Sequence, residues 1–260
     1  MSKLAGFAYT PQNVRELDRI AIHEVGIPGY ELMSRAGHAA FIATVDRFPD
    51  ARRWHVLCGA GNNAGDGYII ARLAQQSGRE ITVSALGDPT RLSGDAGRAY
   101  SEFLNSGGAA MPFEGSYPDD ADLLVDAMLG TGLDRPLQGS YLAAVNMVSQ
   151  ASAPVVAVDI PSGLNGLNGE VMGAAVRAEL TVTFVGLKQG FFVGRGPDHI
   201  GSLVFDDLGV PFAAVREVPA SLRVYRQQNL NRLLPVRERT AHKGDFGHVL
   251  VVGGNIGMAG

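Results

Sequence analysis

The sequence contains little cysteine and has no long run of basic or apolar residues. Its 260 residues include one cysteine, Cys58, which excludes an internal disulfide and is typical of a reducing cytoplasm. The net charge is −4, so nucleic-acid binding is not expected. No apolar run approaches the roughly 20 residues of a membrane span, and residues 1–10 lack the apolar core of a signal peptide. These absences predict a cytoplasmic protein without a membrane partner.

Several common catalytic motifs are also absent. The six histidines show no metal-ligand spacing, and neither a G-x-S-x-G elbow nor a Walker lysine motif occurs, which disfavours hydrolases and P-loop enzymes. The length suits one large α/β domain, or one domain and part of another. Cys58 ends an apolar run, which favours a core thiol over a nucleophile.

The most informative stretch is a predicted strand, glycine loop and helix. Residues 54–58 are apolar, and apolar residues recur at helical spacing from 69 to 74, so we predict a helix from near Gly65. This order opens a nucleotide-binding α/β unit. Asn62, Asn63 and Asp66, however, crowd the position of a pyrophosphate, and a carboxylate suits a cation or sugar hydroxyls better. Alternatively, Asp66 caps the following helix.

The rest of the chain alternates between predicted strands and helices. Two helices, at residues 11–25 and 30–48, precede the first predicted strand. Further strands are predicted at 80–86, 122–129, 154–159, 180–186 and 204–205, and further helices at 93–105 and 138–150. This pattern predicts a mostly parallel sheet with helices on both faces.

Polar residues follow four of the predicted strands, where ligands of parallel sheets bind. They are Asn63, Asp66, Asp126, Asp159, Ser162 and Lys188. Their carboxylate, amide and hydroxyl oxygens suit an alkali or alkaline-earth cation, not zinc or copper. Lys188 can counter a carboxylate or contact a ligand phosphate. An oxygen-lined pocket is therefore expected at this edge.

Four segments, in this order, resemble the NAD(P)H-hydrate epimerase family. They are residues 59–67 (GAGNNAGDG), 126–132 (DAMLGTG), 159–163 (DIPSG) and 184–188 (FVGLK), and residues 32–37 (LMSRAG) resemble its N-terminal helix motif. The resemblance covers roughly Thr10 to Val215. Ala64 stands where the family usually has glycine and is expected to narrow the loop slightly. Ser34 stands where glutamate is usual, which changes an expected helix contact.

The resemblance implies a Rossmann-like three-layer α/β sandwich with a mostly parallel sheet and two extra N-terminal helices. It implies a homodimer or a higher homo-oligomer, epimerisation of the R and S forms of hydrated NADH and NADPH, and a bound potassium ion. Asn63, Asp126 and Ser162 would hold potassium. The implied substrate-binding residues are Asn62, Asn63, Ala64, Gly65, Asp66, Gly130, Thr131, Gly132, Leu133, Asp134, Arg135, Pro136, Tyr141 and Asp159. We hypothesise that Asp159 transfers the proton and that Lys188 tunes it or polarises the leaving oxygen.

The C-terminal stretch resembles the start of a second domain. Residues 230–237 (LNRLLPVR) and 242–254 (HKGDFGHVLVVGG) are similar to the beginning of the ribokinase-like NAD(P)H-hydrate dehydratase, which is often fused to the epimerase. We therefore expect an epimerase domain at 1–217, and a linker with a truncated dehydratase start at 218–260. Such a short stretch cannot build that core. Dehydratase activity, with its ADP or ATP, is not expected of it.

Two rival functions remain open at the level of sequence. The G-x-G-x-x-A match at residues 59–64 favours an NAD-dependent oxidoreductase, although Asp66 and the lack of a well-placed ribose-binding acid disfavour one. The second rival is a non-catalytic nucleotide-binding or scaffold module of the same fold. Hydride transfer would favour the first, and binding without turnover the second.

Overall fold

The computed structural model describes residues 2–225, 239–246 and 250. The chain divides into two compact units, of which the first ends at Val224 and the second begins at Tyr225. In the second unit a short 3-10 helix spans Lys243–Phe246. Residues 230–237 and most of 242–254 lie outside the described residues. The domain boundary at residue 217 stays a prediction.

Strands and helices alternate along the first unit as the sequence predicts. In chain order they are β1 (Phe7–Tyr9), α1 (Pro11–His23), α2 (Gly29–Arg47), β2 (Arg53–Cys58), α3 (Asn62–Gln76), β3 (Glu80–Ala85), α4 (Gly94–Asn105), β4 (Met111–Pro112), β5 (Leu123–Ala127), α5 (Gly139–Val148), β6 (Val155–Val158), β7 (Leu180–Phe184), β8 (Leu187–Lys188), β9 (Ser202–Asp206), α6 (Phe212–Val215) and β10 (Leu222–Arg223). Among the residues that the structure describes, no helix is long and apolar enough to cross a membrane.

Seven strands form one parallel sheet in the order β4-β3-β2-β5-β6-β7-β9. Side chains on successive strand positions pack on opposite faces of the sheet. Val56 and Cys58 of β2 belong to the core under α2, α3 and α4. Leu57, between them, packs on the other face with Leu124 of β5 and Val145 of α5. Helices therefore cover both faces of the sheet. This arrangement confirms the expected Rossmann-like α/β fold and the interpretation of Cys58 as a core thiol.

A second, three-stranded sheet joins the N-terminus to the strand that carries Lys188. In it β1 pairs antiparallel with β10 and parallel with β8, with Tyr9 in register with Lys188. The expectation that two helices precede the first strand is therefore wrong, because β1 precedes both. Three residues are too few to show an alternating pattern, so this strand gave no sequence signal.

Helix α1 lies directly against the turn between β7 and β8. Thr10 Oγ1 accepts a hydrogen bond from the Asn13 amide, and Pro11 is the first helical residue, as predicted. A side chain at Gly186 would place its Cβ 2.7 Å from Leu17 Cδ1. The missing side chain thus lets the helix approach the end of the sheet where Lys188 lies.

Candidate active site at the carboxyl ends of the strands

A cavity of about 1110 Å³ opens at the carboxyl ends of the central strands. Its walls come from the loop after β2 and the first turns of α3, the loop after β5, the ends of β6 and β7, and helices α1 and α2. Of the predicted site residues, those that line it are Asn62, Asn63, Asp66, Gly130, Thr131, Gly132, Leu133, Asp134, Arg135, Pro136, Tyr141, Asp159 and Lys188. Parallel strands thus bring four separate motifs to one cavity, as the sequence predicts.

Helix α3 begins at Asn62, three residues before the predicted start near Gly65, and points its N-terminus at this cavity. Gly61 is the capping residue, and within the described part of the chain no side chain caps the first turn. A Cβ at Gly59 would lie 1.8 Å from the Met128 carbonyl oxygen, so only glycine lets the loops after β2 and β5 approach so closely. The uncapped amide groups form a site suited to an anion.

Asp66 lies in the second turn of α3, so the alternative that it caps this helix is wrong. Because the helix starts earlier than predicted, the carboxylate is also displaced from the amides that would meet a phosphate. Burial, with added repulsion from Asp159 and Asp18, raises the pKa of Asp66 well above its usual range, and Lys188 opposes the rise. Asp66 therefore belongs to a group of charges deeper in the cavity.

The partly buried Asp159 and the buried Lys188 form an ion pair at one side of the cavity. The Lys188 side chain is 1% exposed, and its ammonium donates to Asp159 Oδ1, to Thr183 Oγ1 at 2.7 Å and to the Phe184 carbonyl at 3.3 Å. All three ammonium hydrogens can thus be used. Asp159 has a left-handed backbone, with φ +68°, which is uncommon outside glycine. This backbone turns the carboxylate back towards Lys188.

The second oxygen of Asp159 is the chemically available one. No hydrogen bond to Oδ2 occurs among the described residues. A Cβ at Gly130 would lie 3.5 Å from Oδ2 and 3.7 Å from Asn63 Cβ, so this oxygen faces the loop after β5 and the start of α3. Asp159 can therefore exchange a proton through Oδ2 while Lys188 holds Oδ1.

Asp126, Ser162 and Asn63 meet around the peptide of Leu129. The buried Asp126 carboxylate accepts from Ser162 Oγ at 2.6 Å, from the Ser162 amide at 2.8 Å and from the Met128 amide at 3.2 Å. Ser162 Oγ accepts from the Leu129 amide at 2.9 Å, and Asn63 Nδ2 donates to the Leu129 carbonyl at 3.1 Å. Asp126 and Ser162 are not in the cavity wall, whereas Asn63 connects them to it.

This cluster has the chemistry of a site for a cation of low charge. Burial raises the pKa of Asp126 to about 6. Asn63 Oδ1 is buried and has no hydrogen-bond partner among the described residues. The donors are one carboxylate and neutral oxygens, and the described part of the chain holds no group of three or more His, Cys, Asp or Glu suited to a metal ion. Hard oxygens with a single negative charge fit an alkali cation better than zinc.

Besides Asp126 and Ser162, two predicted site residues, Ala64 and Gly65, are not in the cavity wall, and neither is Ser34. Ala64 is fully buried in the core. Gly65 packs against α2, since an added Cβ would lie 2.5 Å from Met33 Sδ. Ser34 lines a separate groove with Glu31 on the outer side of α2. Neither of the two departures from the family pattern, Ala64 and Ser34, lines the cavity.

The structure adds residues that sequence reasoning missed. Arg15, Asp18 and Ile22 of α1 line the cavity, while Leu17 and Ala21 of the same helix are buried in the core. Positions 15, 18 and 22 follow helical spacing and form one face. That spacing was visible in the sequence, but nothing in it showed that the face meets the strand ends. Tyr141 Oη, by contrast, was expected and accepts from the Ala60 amide at 3.1 Å.

Comparison with known proteins identifies the family. Residues 29–190 match the family described as YjeF-related protein N-terminus. The chain belongs to this family. The match covers more than half of the chain and spans the four strand-end motifs. It confirms the resemblance that those motifs carry.

Three curated relatives place the chain further within the YjeF-related N-terminal family. It is 42% identical over 97% of its length to the bifunctional NAD(P)H-hydrate repair enzyme Nnr of Coxiella burnetii, and 41% identical over 95% to that of Escherichia coli K12. It covers 51% and 48% of these proteins, so the chain spans about half their length. It is 38% identical to the NAD(P)H-hydrate epimerase of Limosilactobacillus fermentum, covering 78% of this chain and 97% of that protein.

A solved structure supports the fold. The crystal structure of the yeast protein YNL200c superposes with a TM-score of 0.71, over 84% of this chain and 95% of that one. The sequence identity in this match is 18%, so it establishes the fold alone.

Proposed function

We propose that this chain interconverts the R and S hydrates of NADH and NADPH in the cavity. The observation that carries the proposal is the Asp159–Lys188 pair, which leaves one carboxylate oxygen available beside an uncapped helix N-terminus. The relative from Limosilactobacillus fermentum, which the chain covers almost completely, is named NAD(P)H-hydrate epimerase. The chemistry of the cavity and the name of this relative therefore support the same reaction.

The dinucleotide would bind along the loops after β2 and β5. The amides at the start of α3 suit its pyrophosphate, because the helix dipole and the free N–H groups favour an anion. Arg15 and Arg135, two exposed cations in the cavity wall, add attraction for phosphate. Residues 130–136 and Tyr141 would enclose the remainder of the nucleotide. The hydrated nicotinamide ring would then lie towards Asp159, in the deeper part of the cavity.

The chemistry requires the hydrated ring carbon to become planar and to be rebuilt from the other face. Loss of the hydroxyl group with a proton leaves an iminium-like ring, because the neighbouring ring nitrogen donates its electron pair. Water then returns from the opposite face and gives up a proton. Asp159 Oδ2 is placed to accept or return that proton. Lys188 would orient the carboxylate and stabilise charge on oxygen.

We further propose that Asn63, Asp126 and Ser162 hold a potassium ion. A monovalent ion is a weak Lewis acid, so its contribution would be structural, fixing the loops after β2, β5 and β6. The unpartnered Asn63 Oδ1 and the single buried carboxylate support the assignment. In this role the three side chains would fix the loops against which the dinucleotide would bind.

Four wider assignments are also proposals. We propose that residues 1–217 form the epimerase domain and that it acts as a homodimer or higher homo-oligomer. From the resemblance that residues 230–237 and 242–254 carry, we propose an associated dehydratase activity that uses ADP or ATP. A cytoplasmic location is supported by the single buried cysteine.

Replacing Asp159 tests the proposed chemistry. Asparagine tolerates the left-handed backbone at this position, so Asp159→Asn keeps the shape while removing the proton-transfer group. We expect epimerisation to fall about 10²–10⁴-fold, with hydrate binding retained. The rate is measured by chromatographic separation of the epimers, against an enzyme-free control. Wild-type turnover in Asp159→Asn would remove Asp159 from the mechanism.

A further inference from the structure

The proposed epimerisation needs proton transfer on two faces of one ring, and Asp159 supplies one group. Water leaves from one face and returns to the other, so the group that protonates the departing hydroxyl and the group that deprotonates the incoming water lie on different sides. Asp159 is anchored through Oδ1 to Lys188, which limits its reach. We therefore look to the cavity for a second proton-transfer group. This inference rests on the proposed function.

Helix α1 brings one such group to the cavity. Asp18 lies on the face of α1 that lines the cavity, between Arg15 and Ile22. The helix is fixed there by two contacts with the strand turn that carries Lys188. Gly186 admits Leu17 to within van der Waals contact, and Tyr9, just before α1, pairs in register with Lys188. Asp18 thus faces the cavity from an element outside the sheet that holds Asp159.

The surroundings of Asp18 favour a carboxyl group that exchanges its proton just below neutral pH. Its pKa is raised to about 6, mainly by burial, while Lys188 lowers it and Asp159 raises it. The charged groups that interact with it are Asp66 on α3, Asp159 after β6 and Lys188 on β8, and Arg15 on its own helix lines the same cavity. Three carboxylates thus face one ammonium, so they cannot all ionise without cost.

Asp66 is the competing candidate, and its environment suits a different role. Burial raises its pKa well above the ordinary value, and its carboxyl lies on α3, the helix that would receive the pyrophosphate. An epimerase works in both directions, so each of its two groups must be able to give and to take a proton. A pKa near the working pH allows this for Asp18.

We propose that Asp18 is the second proton-transfer group of the epimerisation. Asp18 gives its proton to the ring hydroxyl, the C–O bond breaks with its electron pair leaving on water, and the ring nitrogen forms the C=N bond. Water then adds from the opposite face, its proton passes to Asp159 Oδ2, and the C=N pair returns to nitrogen. Exchange with solvent restores the proton to Asp18. The reverse direction uses the two carboxylates in exchanged roles.

The test compares Asp18→Asn with wild type and with Glu16→Gln, an exposed residue of the same helix that pairs with Arg19 outside the cavity. We expect Asp18→Asn to lower kcat about 10²–10³-fold with KM nearly unchanged, and Asp18→Glu to recover part of the loss. Thermal unfolding and hydrate binding serve as folding controls. Glu16→Gln should behave as wild type.

The pH profile separates a proton-transfer role from a structural one. The proposed reaction requires that Asp18 and Asp159 together hold one proton. In wild type, therefore, kcat/KM from either epimer should fall as pH rises above about 6, after subtraction of the enzyme-free rate at each pH. Asp18→Asn should lose this descending limb.

Four results would overturn the inference. They are wild-type kcat and pH profile in Asp18→Asn, an equal loss in Glu16→Gln, no recovery in Asp18→Glu, or loss of the limb only in Asp66→Asn. A wild-type chain that does not accelerate epimerisation would overturn the proposed function as well.

Discussion

Asn63 connects the two parts of the site at the level of single residues. Its backbone lies in the first turn of α3, its Nδ2 donates to the Leu129 carbonyl at 3.1 Å, and its Oδ1 is buried without a described partner. An unpaired buried acceptor costs about 1–3 kcal/mol. A cation bound beside Asp126 would offset that cost, and so would couple ion binding to the position of the loop that receives the dinucleotide.

Removing the Asn63 side chain therefore tests the ion site without any activity assay. Replacing lithium by potassium should raise the midpoint of thermal unfolding of wild type, since an ion that binds only the folded state stabilises it by about 2.7 kcal/mol at 100 times its Kd. Asn63→Ala should abolish the potassium-dependent rise. Asn62→Ala, an exposed neighbour, should keep it. An unchanged rise in Asn63→Ala would contradict the assignment.

At the level of elements, the site depends on how closely helix α3 packs on the sheet. Gly67 is the point of contact, because an added Cβ would lie 2.6 Å from Ala127 Cβ and 2.9 Å from Cys58 Sγ. Both atoms belong to short side chains on neighbouring strands, β2 and β5, and cannot move aside. The helix N-terminus is consequently held at a fixed height above the strand ends.

Gly67→Ala should push α3 away from the sheet and destabilise the fold. Overpacking of this kind costs about 1–3 kcal/mol, measured as a lower urea midpoint of unfolding with an unchanged slope. Gly6→Ala is the matched control, since nothing lies within 4 Å of a Cβ at Gly6. Equal midpoints for Gly67→Ala and wild type would show that α3 has room to shift.

The same scale shows what sequence can predict about this site. Asn63, Asp126, Asp159 and Lys188 could be grouped in advance, because the carboxyl ends of parallel strands share one edge. Asp18 could not. Its place depends on the pairing of β1 with β8 and on the missing side chain at Gly186, which join segments far apart in the chain. The start of α3 was misplaced for a local reason, since the first apolar residue of its pattern lies well inside the helix.

At the level of the whole molecule, two sheets and helix α1 together enclose the cavity in which we propose that the hydrated dinucleotide binds. The seven-stranded sheet collects the binding loops at its carboxyl edge. The second sheet and α1 close the cavity from the other side and bring a carboxylate that the sheet itself does not supply. The family assignment and the chemistry of the cavity both support the proposed epimerisation of hydrated NADH and NADPH.

The most direct test is to supply purified R-hydrate of NADH, with potassium present, and to follow the S form by chromatography. We expect conversion well above the enzyme-free rate, reaching the same ratio of epimers when the reaction starts from the S form. Conversion no faster than the enzyme-free control, with the hydrate still bound, would contradict the account and favour a binding module. Hydride transfer from intact NADH to any acceptor would instead favour the oxidoreductase.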